Sequence, residues 1–575
     1  MRLACSIFAV ESIRMISDKQ PVKDLIALLQ QWEVKDVIIT PGSRNAPFSL
    51  SFFKHPDFRT YSIVDERTAA FFALGLSQQT KIPSVLICTS GTAALNYAPA
   101  IAEAYYQRVP LIVITADRPI EWIDQGEGQS IRQTDVYKNY VRKSVSIVQE
   151  AEDKDLKWYN FRQLNEAIQE AFGEIPGPVH INFPLRESLY NTDDRLSDVK
   201  PYHTAATLRQ LTESEKKATR QHLFQAKKVM ILVGQMVPNE TLNQLINEWA
   251  SLPQVAIFTE SHANLAGSDL VTGIDRMISG LSEEDKQWIT PDLLITFGHN
   301  IISRRIKTLL RNSQVVHWHI DESGEGLDTF QHLHRIIPIS PLQFFTEIGR
   351  VEGNSDYREK IVAMNALATK VGEEYLKEAA FSDLTALSSV MKAIPHGSDV
   401  QMGNSSIVRY IQLYTHRGDL TYFGNRGVAG IDGCTSTAIG ASWITQRPTT
   451  FISGDIAFMY DSNAFWHKYI SAQLKMVVIN NGGGGIFRII DGPSGHEEAL
   501  EQFFETTHDR TTEDLARMYK LPYLAAHNEE SLQQGLSWLY DQQECALLEV
   551  FTPRLENDAV LKGFFKKIKD KQNNH

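Results

Sequence analysis

TTFISGDIAFMYDSNAFWHKYISAQLKMVVINNGGGG (residues 449–485) decides how the chain folds. It holds two short apolar runs, TTFISGD (449–455) and KMVVINN (475–481), without polar alternation. Runs of this length and composition read as strands buried on both faces, as a parallel sheet requires. Each run ends in polar residues: Asp455 after the first, Asn480 and Asn481 after the second. Ligands of open α/β sheets gather at the carboxyl ends of strands, so these side chains stand where a ligand is expected. An Asp carboxylate, an Asn amide oxygen and a backbone carbonyl are hard oxygen donors. They suit Mg2+, which shares its coordination shell with phosphate oxygens. The glycines at 482–485 let the backbone come close to such a ligand. Either motif alone also fits an ordinary strand-end turn. Together, each directly after a strand, they favour a metal-and-phosphate site.

The same alternation extends in both directions. VKDVIIT (34–40), SVLICTS (84–90), PLIVITA (110–116) and GPVHINFP (177–184) are Val/Ile-rich strands, with helical stretches such as RTAAFFALGLSQQ and TAALNYAPAIAEAYYQ between them. A second block holds KKVMILVG (227–234), QVAIFTE (254–260), DLLITFG (292–298) and QVVHWHID (314–321); a third adds CALLEVF (545–551). This βαβα order predicts three doubly wound parallel-sheet α/β domains. The expected boundaries are 16–195, 205–350 and 385–575, with NTDDRLSDVKPYHT as a linker and a charged helical connector after 350. Residues 1–15, MRLACSIFAVESIRM, read as an extension outside the fold, since the apolar part is too short for a signal peptide with a clean cleavage site.

Composition narrows the function classes. The 575 residues are 43% hydrophobic and 22% charged, which is globular and excludes disorder as the main state. The longest apolar runs fall well short of the roughly 18–20 residues of a spanning helix, so no integral membrane segment is expected. With 57 basic against 69 acidic residues, the net charge of −12 argues against a nucleic-acid binder. Cys5, Cys88, Cys434 and Cys545 are too widely spaced for a CxxC-type metal site, and a cytoplasmic location fits best. The 17 histidines form no HExxH, no GxSxG elbow occurs, and KVMILVGQMVPNE in the middle block lacks GxGxxG. No dinucleotide is therefore expected there.

GD followed by NN about 25 residues later resembles the diphosphate-binding motif of thiamine diphosphate enzymes. The resemblance implies that Asp455, Asn481 and the carbonyl of Gly483 hold the metal, Mg2+ or Mn2+, with Gly454 and Ile456 beside them. The family's usual GDG is GDI here, at a position that offers only its backbone. VDERTAAFFALG (64–75) places Glu66 after a strand and at a helix start, where the macrodipole alone also favours an acid. The resemblance makes Glu66 the partner of the aminopyrimidine N1′, helping to form the nucleophilic ylid, and such a carboxyl in an apolar site is expected to have a raised pKa. TSGTAALN (89–96) and GPVHINFP resemble the family's pyrimidine-binding domain.

PGSRNAP (41–47), TADRP (115–119), GNSSIVR (403–409), NRGVAGIDG (425–433) and GGIFRII (484–490) are together similar to the 2-succinyl-5-enolpyruvyl-6-hydroxy-3-cyclohexene-1-carboxylate synthases of menaquinone biosynthesis. That resemblance implies decarboxylation of 2-oxoglutarate and addition of a succinyl carbanion equivalent to isochorismate. It also implies a homo-oligomer, dimer or tetramer, with active sites at the subunit interface. Dicarboxylate substrates need cations, and the guanidinium fork suits carboxylates. The candidates are Arg44 with its neighbour Ser43, Arg118, Arg409, Arg426, and the pair Arg304 and Arg305 in GHNIISRRIK. The pair also fits an ordinary exposed helix start. By the same resemblance, Gln129 lies near the cofactor's reactive carbon and Ser405 hydrogen-bonds the acceptor. Ile431 props the bent cofactor, and Ile486 and Phe487 form apolar walls. Where the family often has Asn before the glutamine, this chain has Gly128. The rival readings are another thiamine diphosphate-dependent decarboxylase or carboligase, such as an acetolactate synthase relative, and a non-catalytic protein on the same scaffold.

Overall fold

The computed structural model describes residues 15–53, 55–205, 207–489 and 497–573. Of the expected N-terminal extension, only Met15 falls among them. The chain divides into two compact units. The first comprises residues up to Ala205 together with Ile439–Thr445 and Asn463–Tyr469; the second comprises the remainder.

In the first unit, β1 (Ile16–Ser17) precedes a sheet of β2 (Asp36–Ile39), β3 (Arg59–Ser62), β4 (Ser84–Cys88), β5 (Leu111–Asp117), β6 (Lys143–Ser146) and β7 (Pro178–Pro184). The order is β3-β2-β4-β5-β7-β6 and every pair is parallel. A two-residue β8 (Thr192–Asp193) returns antiparallel to β1. β4 and β5 are buried along their whole length, which is why each holds a run of four apolar residues, VLIC and LIVI. The chain reverses direction across the sheet between β2 and β4, so the loops after these strands border the ligand-binding crevice of this fold. PGSRNAP follows β2 and TSGT follows β4. The two loops abut so closely that a Cβ on Gly42 would lie 2.3 Å from the Thr89 Cβ.

The second unit holds two parallel sheets. The middle one contains β9 (Val229–Val233), β10 (Val255–Thr259), β11 (Leu293–Phe297), β12 (Val316–Ile320) and β13 (Leu333–Ile337), in the order β10-β9-β11-β12-β13. At its reversal point the loops pair with each other: Gly234 N donates to Phe297 O, Gln235 N to Asn300 O and His299 N to Gln235 O. The last sheet contains β14 (Asp399–Met402), β15 (Thr421–Gly424), β16 (Thr449–Gly454), β17 (Leu474–Asn480), β18 (Tyr523–Ala526) and β19 (Ala546–Phe551). Its order, β15-β14-β16-β17-β19-β18, repeats that of the first sheet strand for strand. Gly454 lies opposite Ile479 in the register of β16 and β17, so Asp455 and the two asparagines leave the sheet side by side.

The strands missing from the sequence reading are almost all at edges: β3 and β6, β13, β15 and β18. An edge strand is covered less completely, and its residues alternate or turn polar; β3 shows this, with only Tyr61 of its four residues buried. The exception, β14, is central and fully buried but carries Asp399 and Gln401.

Candidate active site

Asp455 and Asn481 are both buried and follow directly on β16 and β17, which are paired up to Gly454 and Ile479. The Asp455 carboxylate accepts from Ile456 N at 2.7 Å and from Gly483 N at 3.1 Å. His508 Nε2 stands 3.3 Å from its Oδ2, and this contact raises the histidine pKa against the opposing effect of burial. Gly483 has a φ of +156°, and a Cβ there would sit 2.9 Å from Glu505 O, so no other residue fits without movement. Asn481 Nδ2 donates to Asp383 Oδ2 at 2.8 Å, whereas its Oδ1 is buried and accepts no hydrogen bond among the described residues. An orphaned acceptor of this kind costs about 1–3 kcal/mol, which a cation in its line would remove. Asp455, Asn481 Oδ1 and the Gly483 carbonyl, which accepts from Gly485 N at 3.0 Å and keeps a second lone pair, would offer an all-oxygen set with too few donors to fill an Mg2+ shell alone, and phosphate oxygens and water complete such shells. The residues therefore fit a divalent ion carrying a diphosphate. A cavity of about 870 Å³ opens beside them, lined by Ile456, Tyr460, Thr507, His508 and Arg510 among others.

A second cavity of about 960 Å³ in the same unit brings Arg304, Arg305, Arg409 and Ile486 together with Asp275 and Lys286. Arg304 and Arg305 start the helix Arg304–Arg311 and are exposed; Arg305 also lies over the Phe565 ring at 4.8 Å. Burial and the neighbouring cations Arg426 and Arg304 hold Arg409 below its ordinary pKa, with Asp275 the opposing carboxylate. Three guanidinium groups this close repel one another, and an anionic ligand relieves that repulsion. Arg426 is buried and donates to Asn404 Oδ1 at 2.7 Å. Ser405 begins the short helix Ser406–Ile411 with φ +66° and ψ −124°, outside the regions a side chain prefers, and its carbonyl accepts from Arg409. Non-glycine strain of this kind costs about 1–3 kcal/mol and gathers at functional sites. Ile431 is half-buried, in the loop before the helix Cys434–Thr445. Phe487 is half-buried and packs against Phe504 with ring centroids 5.6 Å apart. A Cβ added to Gly454, which ends β16, would meet nothing within 4 Å among the described residues.

In the first unit, Glu66 is the first residue of the helix Glu66–Thr80, whose start is fixed by Asp65 accepting from Thr68 N at 3.0 Å. Thr68–Gln78 are buried without interruption, so this helix has no polar face to mark it in sequence. Glu66 is half-buried, and burial raises its carboxyl pKa above the ordinary value, in line with the expectation. Arg44 is buried, donates to Leu185 O at 2.9 Å and pairs with Glu187 at 3.2 Å; burial first and Arg118 second lower its pKa. Ser43 beside it is exposed. Arg118 donates to Gly128 O at 3.1 Å, so the position where the family often has Asn contributes its carbonyl. Gln129 is exposed at φ +56°, with its backbone packed on Gly91.

Three residues absent from the sequence reading support these groups. Gln133 accepts from Gly91 N at 2.8 Å and so joins the 126–133 loop to the turn after β4. Glu260, at the end of β10, accepts from Ile302 N at 2.6 Å and Ser303 N at 2.7 Å, fixing the segment that carries Arg304 and Arg305. Burial lifts its carboxyl to about 7. Asp383, in the first turn of the helix Asp383–Ala393, is buried, and burial lifts it to about 6. Its only sequence signal is that of an acid at a helix start. Glu260 stands at a strand's carboxyl end and is legible by that rule.

Residues 22–138 match the family model of the thiamine pyrophosphate enzyme N-terminal TPP-binding domain. Residues 189–399 match the middle domain and residues 401–550 the C-terminal TPP-binding domain. The chain is similar to proteins named 2-succinyl-5-enolpyruvyl-6-hydroxy-3-cyclohexene-1-carboxylate synthase. That of Flavobacterium johnsoniae is 41% identical, covering 95% of this chain and 98% of the relative. That of Christiangramia forsetii is 39% identical over 96% and 99%, and that of Porphyromonas gingivalis 38% identical over 96% and 97%. With three thiamine pyrophosphate enzyme domain models matched in succession and relatives aligned over nearly the whole length, the chain belongs to the 2-succinyl-5-enolpyruvyl-6-hydroxy-3-cyclohexene-1-carboxylate synthase family of thiamine diphosphate-dependent enzymes.

Proposed function

We propose that the protein decarboxylates 2-oxoglutarate and adds the succinyl fragment to isochorismate, releasing CO2, in the cytoplasmic part of menaquinone biosynthesis. The observation that carries this reading is the arginine cluster around Arg409: Arg304 and Arg409 line a cavity with Asp275 and an apolar wall at Ile486, and Arg426 is a neighbouring cation of Arg409. Substrates with several carboxylates match it; a monocarboxylate such as pyruvate does not. The names of the relatives favour the same reaction over other carboligases.

Residues 16–195 would bind the aminopyrimidine and 385–575 the diphosphate, with 205–350 contributing the basic pair. Asp455, Asn481 and the Gly483 carbonyl would hold Mg2+ or Mn2+, and Gly454 and Ile456 would border the diphosphate. Bound thiamine diphosphate supplies the electron sink for the decarboxylation. Glu66, whose burial favours the protonated form, holds a proton at the aminopyrimidine edge. Ile431 and Phe487 exclude water, and Ser405 and Gln129 present polar groups to the acceptor. Arg409 and Arg426 orient substrate carboxylates, with Ser43, Arg44 and Arg118 bordering the approach. Because Glu66 and Asp455 belong to different domains, two chains would complete each site, as a dimer or a higher homo-oligomer. Sedimentation should show at least a dimer, and full activity in a monomer overturns this.

The direct test mixes the protein with thiamine diphosphate, Mg2+, 2-oxoglutarate and isochorismate and identifies the product by mass. Replacing Arg409 or Arg426 by Met should raise KM for a substrate about 10- to 100-fold, with a much smaller change in cofactor affinity. Arg→Lys should rescue only in part, since an ammonium lacks the planar fork. Use of pyruvate as readily as 2-oxoglutarate would replace this reading by the broader carboligase one.

A further inference from the structure

We propose that Asp383 is a positioning residue that fixes which end of the Asn481 side chain faces the metal site. This rests on Asn481 being a metal ligand. A primary amide turned by 180° keeps its shape and exchanges an acceptor for a donor, so only its hydrogen-bond partners determine its direction. Asp383 supplies that direction. Its Oδ2 accepts from Asn481 Nδ2 at 2.8 Å, which leaves Asn481 Oδ1 buried on the other side, without a hydrogen-bond partner among the described residues. Asp383 is itself held in place: Oδ1 accepts from Thr552 Oγ1 at 2.5 Å, and its backbone N–H donates to Asn557 Oδ1 at 2.8 Å. These partners come from the end of β19 and the helix Asn557–Gln572, so two other elements set the orientation of one amide. A helix-start acid that merely complements the macrodipole would be exposed; Asp383 is buried, and both of its carboxylate oxygens are used.

The test measures Mn2+ affinity by electron paramagnetic resonance on metal-stripped protein with thiamine diphosphate present, so turnover is not the readout. Asp383→Asn lets the asparagine amide donate to Asn481 Oδ1 and turn the Asn481 N–H groups toward the metal. Mn2+ affinity should fall about 10- to 100-fold, the range typical of outer partners of metal ligands. The exchanged pair, Asp383→Asn with Asn481→Asp, restores an oxygen toward the metal and a donor–acceptor contact behind it, at unchanged total charge. It should recover most of the affinity. If Asn481→Ala weakens Mn2+ binding but Asp383→Asn does not, the positioning role is overturned while the metal site stands. If Asn481→Ala has no effect either, both are overturned. Should Asp383→Asn fail to fold, the exchanged pair is read alone: retained Mn2+ binding supports the assignment and lost binding overturns it.

Discussion

Glu66→Gln is expected to leave thiamine diphosphate affinity within a few-fold of the parent and to slow exchange of the cofactor's C2 proton about 10²- to 10⁴-fold, the range for a lost general acid–base group. The two expectations separate because glutamine keeps the shape of glutamate at the head of the helix Glu66–Thr80. The helix start itself depends on Asp65, not on Glu66. What is lost is a group that can hold and release a proton. The Glu66 carboxyl is shifted upward chiefly by burial, with Asp65 adding to the shift. Replacement of Asp65 by a neutral residue should therefore lower the Glu66 pKa slightly. Hydrogen–deuterium exchange at C2, followed by quenching and NMR, checks the main expectation. Exchange at the parental rate in Glu66→Gln would remove Glu66 from the chemistry.

Asp455→Ala should weaken thiamine diphosphate binding in Mg2+ by at least about a hundredfold, more than the loss of a partner outside the metal shell. Its carboxylate does several things at once. It accepts from Ile456 N and Gly483 N, holding the glycine turn against β16, and it faces His508. Alanine removes the metal ligand, orphans the Gly483 N–H and leaves His508 without its counter-charge. Isothermal titration at rising Mg2+ should show only partial recovery, since added metal replaces none of the turn contacts. Unchanged affinity would mean that GDI and NN are ordinary turns.

The parts of this architecture that are legible in sequence are those whose burial is uniform. β4, β5 and β17 are covered on both faces, and each carries an unbroken run of four apolar letters, VLIC, LIVI and MVVI. β14 is equally central, yet Asp399 and Gln401 interrupt its pattern, and Arg447 compensates Asp399 at 3.0 Å from outside the strand. Such compensation is invisible until the fold brings the partner near. The site divides the same way. Asp455, Asn481 and the glycines stand at strand ends, where a positional rule applies. Asp383 is nearly a hundred positions from Asn481, and its role exists only through a contact. The orientation of Arg305 onto Phe565 likewise depends on the C-terminal helix, which no local pattern connects to it.

The first unit incorporates Asn463–Tyr469, a segment that follows Asp455 in the chain. Asn463 Nδ2 donates to Asp65 Oδ2 at 2.7 Å, and Tyr469 OH accepts from Ser62 N at 3.0 Å. Both contacts join residues about four hundred positions apart. On a ribosome, the strands of the first sheet emerge early and in order, but the turn that carries Glu66 receives its last polar partners only when most of the protein has been made. Closing so long a loop is slow, although the additional entropy per doubling of length is only about 0.6 kcal/mol. Synthesis therefore separates the time at which the first sheet can form from the time at which its Glu66 turn is complete, and a nascent chain stopped before residue 463 would hold the sheet without the finished turn.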